Sequence, residues 1–134
     1  MSAQIFLLDT NILLTALIKP DALNMEIQAL LQSPKNSILF STASIWEIAI
    51  KRSLGRDGFN FMPENILNLA LETGFTELPI QSNHCFKLVD MPWHHRDPFD
   101  RLLVSQAQTI PAYLLTSDAL LADYSELVRV VEIK

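Results

Sequence analysis

The sequence predicts an α/β fold: one domain over residues 1–134, with a mainly parallel central sheet flanked by helices on both faces. Three observations predict it. Short apolar runs alternate along the chain with longer segments of helical periodicity, the order that generates strand–helix–strand units. The apolar runs, Ile5-Phe6-Leu7-Leu8 first among them, are continuous rather than alternating, as strands covered on both faces are. No internal repeat, low-complexity tract or linker divides the 134 residues, a length that suits one domain with its own core.

Element by element, the first strand is predicted over Ile5 to Leu8, with Asp9 ending it. Ile12 to Ile18 is apolar at helical spacing, and Pro20 stops that helix. Leu23, Ile27, Leu30 and Leu31 mark a second helix from Leu23 to Leu31, closing before Ser33-Pro34. Ile38-Leu39-Phe40 is a second strand. Ala43 to Leu54 reads as a helix that closes near Gly55, and Gly58 to Met62 as a loop. Glu64 to Leu71 is a helix with Gly74 as its stop, Phe75 to Ile80 a strand, Asn83 to Val89 a short helix and Pro92 to Arg96 a loop. Pro98 to Thr109 is a helix with Asp97 as N-cap and Pro98 at its first position. Ala112 to Leu115 and Leu127 to Val131 are the last strands.

A hydrophobic fraction of 49% with only 3 Gly fits a folded rather than a disordered chain. The single cysteine, Cys85, reads as a small half-buried apolar residue. It cannot form an internal disulfide, which fits a reducing cytoplasm. The first apolar run lacks a basic segment before it and is interrupted by Asp9, so no signal peptide is expected. No stretch approaches about 18 uncharged apolar residues, so no membrane span is expected either. The net charge of −5 counts against a nucleic-acid binder at first sight. A site for divalent cations, however, needs surplus carboxylates, and bound metal reverses the local field. The basic residues also cluster, Lys51-Arg52 with Arg56 and His94-His95-Arg96 with Arg101.

In open α/β sheets the ligand site lies beyond the C-terminal ends of the strands. Asp9 follows the first strand, and Thr116-Ser117-Asp118 follows the strand ending at Leu115. Two carboxylates from distant parts of the chain therefore reach one edge. Four acids stand out: Asp9, Glu47, Asp100 and Asp118. Singly, each has a structural explanation. Asp9 and Asp118 can cap the helices that follow them. Ser44-x-x-Glu47 matches a capping box, and Asp100 lies in the positive first turn of its helix. Together they ask for more. Glu47 sits among Ile45, Trp46, Ile48, Ala49 and Ile50, where an unpartnered carboxylate is costly. Converging carboxylates repel unless a cation lies between them. Oxygen donors suit Mg²⁺ or Mn²⁺. No His/Cys spacing for zinc is present, and His94-His95 read as loop residues near substrate. Trp46 is expected in the core. Trp93, in a polar loop, is a candidate for stacking on a base.

Leu8-Asp9-Thr10-Asn11, Ser44-Ile45-Trp46-Glu47-Ile48-Ala49-Ile50-Lys51, Arg96-Asp97-Pro98-Phe99-Asp100-Arg101-Leu102-Leu103-Val104-Ser105-Gln106-Ala107 and Leu115-Thr116-Ser117-Asp118 occur in that order. The series resembles the PIN-domain pattern, in its VapC-like toxin branch, over nearly the whole chain. The resemblance implies a four-acid site at the C-terminal edge of a parallel sheet. Asp9, Glu47 and Asp118 carry over directly. Asp97 and Asp100 compete for the third acid; the spacing to Leu103-Val104 and Ala107 favours Asp100 and leaves Asp97 as helix cap. Ser105 stands where a smaller apolar residue is expected, as a packing variation. The implied chemistry is hydrolysis of RNA with one or two Mg²⁺ or Mn²⁺ ions, leaving a 3′-hydroxyl and a 5′-phosphate. Asp9, Asp100 and Asp118 would ligate metal; Glu47 would ligate it or orient the attacking water. Asn11, Thr116 and Ser117 are candidates for fixing the carboxylates, and Lys51, Arg96 and Arg101 for touching phosphate. The implied partners are RNA, a small antitoxin and a second copy of the chain, with no membrane. The alternatives are a housekeeping RNA-processing nuclease of the same family, a small-molecule phosphatase and a non-catalytic binding module. The phosphatase is disfavoured by Asn11, which stands where a second acid is wanted. A binding module would survive loss of the acids.

Overall fold

The computed structural model describes residues 3–55 and 59–134. Arg56 and Gly58, assigned above to a basic cluster and a loop, lie outside the described residues. Among the described residues, five strands form the sheet: β1 (Ile5–Leu8), β2 (Ser37–Ser41), β3 (Thr76–Leu78), β4 (Tyr113–Thr116) and β5 (Val128–Val130). They lie in the order β3-β2-β1-β4-β5, and every pairing is parallel. The chain builds outward from β1 to β3 on one side, then returns to lay β4 and β5 on the other. Leu8 therefore pairs with both Phe40 and Leu115, and the order of strand addition reverses between β1 and β4. Their C-terminal ends leave the crevice where such sheets bind ligands.

Among the described residues, six α-helices cover the sheet: α1 (Thr10–Ile18), α2 (Met25–Gln32), α3 (Thr42–Ser53), α4 (Pro63–Thr73), α5 (Ser82–Lys87) and α6 (Pro98–Thr109). The continuous apolar run of β1 is explained by a core on each face. Phe6 and Leu8 pack with Ile12, Leu13, Ile48 and Ile66 from α1, α3 and α4. Leu7 faces the other way, against Leu103, Val104 and Ala107 of α6 and Leu121. Gly74 closes α4 at φ 98°, the left-handed conformation that glycine adopts without strain. No described helix is long and apolar enough to cross a membrane.

Several expectations need correction. Ser41, not Ser44, caps α3, accepting from the Ala43 N–H at 3.0 Å. Ser44 and Glu47 thus lie inside the helix, and their capping box does not form. Leu23 precedes α2, because Asn24 takes the cap with a 2.8 Å bond from the Ile27 N–H. Trp46 is not in the core but 57% exposed, meeting Phe99 edge-on with ring centroids 5.1 Å apart. Cys85 is exposed rather than half-buried. Ser105 is more than a packing variation: its hydroxyl donates to the His84 carbonyl at 2.6 Å, tying α6 to α5. Of the apolar residues of α1, Ile12, Leu13 and Leu14 are used by the core, while Ile18 stays exposed.

A candidate acidic active site

Asp9 is placed by two demands at once. It ends β1 and caps α1, its Oδ1 accepting the Ile12 N–H at 2.8 Å. Its Oδ2 accepts the Thr116 hydroxyl at 2.6 Å. Thr116 in turn accepts the Asp118 N–H at 3.0 Å. One hydroxyl at the end of β4 thus joins the carboxylate after β1 to the turn after β4. Asp118 caps the 3-10 turn Ala119–Asp123 through Oδ1 and the Leu120 N–H, at 3.0 Å. Glu47 reaches the crevice from α3. Thr10 donates to its Oε1 at 2.6 Å, and Lys51, one turn on, lies 2.8 Å from its Oε2. Asp97 caps α6, accepting from the N–H groups of Phe99 and Asp100 at 2.9 and 3.3 Å. That cap sets Asp100 in the first turn, turned toward the crevice.

Asp9, Glu47, Asp97, Asp100 and Asp118 line one cleft of about 160 Å³ with Thr10, Asn11, Lys51 and Ser117. Asn11 and Ser117 meet across it, Nδ2 to Oγ, at 3.5 Å. Asp9 and Glu47 are only 5% and 8% exposed. Burial chiefly, then the charges of Asp97 and Asp9, push the Asp100 carboxyl up to about 7, against a smaller opposing pull from His95. Burial also raises Asp9, in spite of the Thr116 and Ile12 hydrogen bonds. Carboxyls raised by burial and by one another's charge are a cluster in want of positive charge, and Lys51 pairs with Glu47. The oxygen-rich donor set fits a hard divalent cation.

Other candidates are placed differently. Arg96 is exposed, and Trp93 is 74% exposed, its ring against the Arg101 guanidinium at 3.7 Å. Arg101 itself needs correcting. It is 4% exposed, and its N–H groups donate to the carbonyls of Pro92, Met91 and Leu88 at 2.8, 3.2 and 3.4 Å and to the Tyr124 hydroxyl at 3.1 Å. A guanidinium so occupied binds the 88–92 segment, not phosphate. Arg101→Ala is expected to cost about 2–4 kcal/mol, because it leaves the buried Met91 carbonyl unpaired and opens a void. Denaturant unfolding measures this, and a loss under about 1 kcal/mol would return Arg101 to the surface roles.

Sequence reasoning missed Thr10, and it placed His95 only as a loop residue near substrate, not as a partner of the acids. Thr10 stands between Asp9 and Asn11, and nothing local ties it to Glu47, 37 positions on. His95 Nε2 lies 2.7 Å from Asp118 Oδ2 and 3.5 Å from Asp100 Oδ2. No spacing in the sequence signals that meeting, since the partners come from separate elements.

The family model for the PIN domain matches residues 6–127. A search of curated proteins gives no match. Among solved structures, a chain of VapBC2 from Rickettsia felis, a complex bound to a DNA fragment from their promoter, superposes with a TM-score of 0.72. It is 19% identical over 96% of this chain and 100% of that one. VapBC-1 from nontypeable Haemophilus influenzae gives 0.61 at 18% identity, over 95% and 98% of the two chains. A domain of a functionally unknown Methanocaldococcus jannaschii protein gives 0.62 at 16%, over 98% and 93%. At these identities the likeness is one of fold.

Proposed function

From the fact that this chain belongs to the PIN-domain family, we propose that it is a metal-dependent endoribonuclease, the toxin of a toxin–antitoxin pair. The observation that carries the chemistry is the meeting of Asp9, Glu47, Asp100 and Asp118 in one cleft at the switch point of the sheet. Asp9, Asp100 and Asp118 would hold Mg²⁺ or Mn²⁺, one ion or two, with Asp97 chiefly a cap. When bound, such an ion makes water a better nucleophile at neutral pH and offsets charge on the phosphodiester.

The chain's own residues do the rest. Thr116 fixes the angle between Asp9 and Asp118, and Thr10 and Lys51 hold Glu47 by both oxygens. Glu47 then ligates or orients the attacking water, in line with a phosphorus whose ester bond breaks to give a 3′-hydroxyl and a 5′-phosphate. Lys51 stands at the cleft and Arg96 outside it, where phosphates of an incoming strand would pass. Trp93 offers an exposed face to a base. An antitoxin would silence the cleft by placing an Arg or Lys among the carboxylates, Arg pairing with two in a fork. Two structural relatives are VapBC complexes, which supports that partner. The exposed Trp46, together with Ile18 and Met25 near α1 and α2, gives apolar surface for it or for a second copy.

Cleavage of RNA is expected to stop on exhaustive chelation with EDTA and to return with Mg²⁺ or Mn²⁺. Undiminished cleavage after chelation overturns the metal chemistry. Expression alone is expected to arrest a bacterial host, and co-expression of an adjacent antitoxin-like frame to relieve it. Harmless expression of a chain that cuts RNA efficiently when purified would make it a housekeeping RNA-processing nuclease.

A further inference from the structure

His95 lies in the loop that leads into α6, and buried groups hold that loop in place. Arg101 binds the carbonyls of Pro92, Met91 and Leu88. The Tyr124 hydroxyl accepts the His95 N–H at 2.9 Å and donates to the His95 carbonyl at 3.3 Å. The ring is fixed as well, since its Nδ1 accepts the Asp97 backbone N–H at 3.0 Å. A backbone N–H only donates, so the ring proton sits on Nε2. Nε2 is 2.7 Å from Asp118 Oδ2 and donates to it.

We propose that His95 is a positioning residue of the acidic site: it fixes the Asp118 carboxylate by an Nε2–H bond and is itself kept from ligating metal. Donor atoms of His95, Asp100 and Asp118 lie within 4.8 Å of one another, close enough to suggest a shared ion with a nitrogen ligand. The Asp97 N–H argues otherwise. A histidine that ligates through Nε2 donates from its other ring nitrogen, and here that nitrogen accepts. Ligation would set two hydrogens against each other at Nδ1. Asp118 keeps a second lone pair on each oxygen, so it remains free to bind an ion while His95 holds it. The ion then meets oxygen donors from Asp9, Asp100 and Asp118, which favours hard cations over zinc. This inference rests on the metal reading above, and the experiment separates the two.

Long-range ¹H–¹⁵N spectra of the three imidazoles, assigned with His95→Gln, are expected to show His95 as the Nε2–H tautomer before and after saturation with Mg²⁺. Inversion to Nδ1–H on adding Mg²⁺ or Zn²⁺ overturns the inference. By calorimetry, His95→Leu is expected to weaken Mn²⁺ binding about tenfold or more. His95→Gln, which keeps an N–H for Asp118, is expected to recover most of that. Equal affinity in wild type and both variants overturns the inference. So does an equal loss in both, the mark of a residue that only spaces the loop. Asp118→Asn is the control. Should wild type bind Mn²⁺ no better than Asp118→Asn, the metal reading falls and takes this inference with it. Strong wild-type binding that is insensitive to His95 defeats the inference alone.

Discussion

Asp9→Asn, Asp118→Asn and Asp100→Ala are each expected to lower RNA cleavage per folded molecule about a thousandfold. That is the scale of losing several kcal/mol of charge stabilisation in the transition state. The fold is expected to survive. Asn at position 9 keeps an oxygen to cap α1 through the Ile12 N–H, and removing a charge from a like-charged cluster relieves repulsion when metal is absent. Metal-free melting temperatures should therefore stay level or rise. Asp97→Ala is expected to behave oppositely, costing about 0.5–2 kcal/mol as a lost N-cap does and keeping most activity per folded molecule. A stable but inactive Asp97→Ala would exchange the roles of Asp97 and Asp100. A large drop in melting temperature for Asp9→Asn and Asp118→Asn would make those acids structural caps first.

Without divalent metal, Asp100 is expected to make the protein less stable as pH rises from about 4 to about 7. In the folded state its carboxyl keeps a proton up to about 7, whereas the ordinary value is 3.8. Between the two the folded state binds the extra proton, so raising pH favours unfolding. Asp9 acts in the same direction. The buried His84, whose ring is pushed down by burial, acts in the other, since its folded state binds fewer protons. The informative quantity is therefore the difference in melting temperature between wild type and Asp100→Asn in EDTA. That gap, with the variant more stable, should widen toward pH 7 and narrow again when Mg²⁺ or Mn²⁺ is added. A gap that is flat with pH would show that Asp100 titrates normally and that the cluster needs no cation.

The fold was legible because its signals are local. Continuous apolar runs marked β1 and β2, and Asp97-Pro98 marked the start of α6 at Pro98. Helix caps were harder, since Ser41 and Ser44 are both good caps and the choice falls to packing. Asp9, Asp100 and Asp118 were legible because strand ends and helix starts are local features that topology then brings together; Glu47, inside α3, stood out by its apolar neighbours. The bonds that hold them were not. Thr10 to Glu47 and His95 to Asp118 span 37 and 23 positions, and nothing nearby in the chain encodes either. Charge misled in the case of Arg101. A basic residue next to an acidic motif looks like a phosphate contact, and only three-dimensional packing shows its guanidinium turned onto backbone carbonyls.

The adjacency of β1 and β4 also has a meaning in time. The Thr116 hydroxyl that holds Asp9 lies 107 positions further along the chain. At about 5–20 residues per second on the ribosome, it is made roughly 5–20 s after Asp9. Until then the growing chain carries Asp9 and Glu47 but neither β4, the second neighbour of β1, nor Asp118. The acidic cleft therefore assembles late, and a nascent chain is expected to be inactive while the first three strands form. A prematurely terminated fragment that stops short of β4 is expected to be harmless, whatever else of the sheet it manages to build.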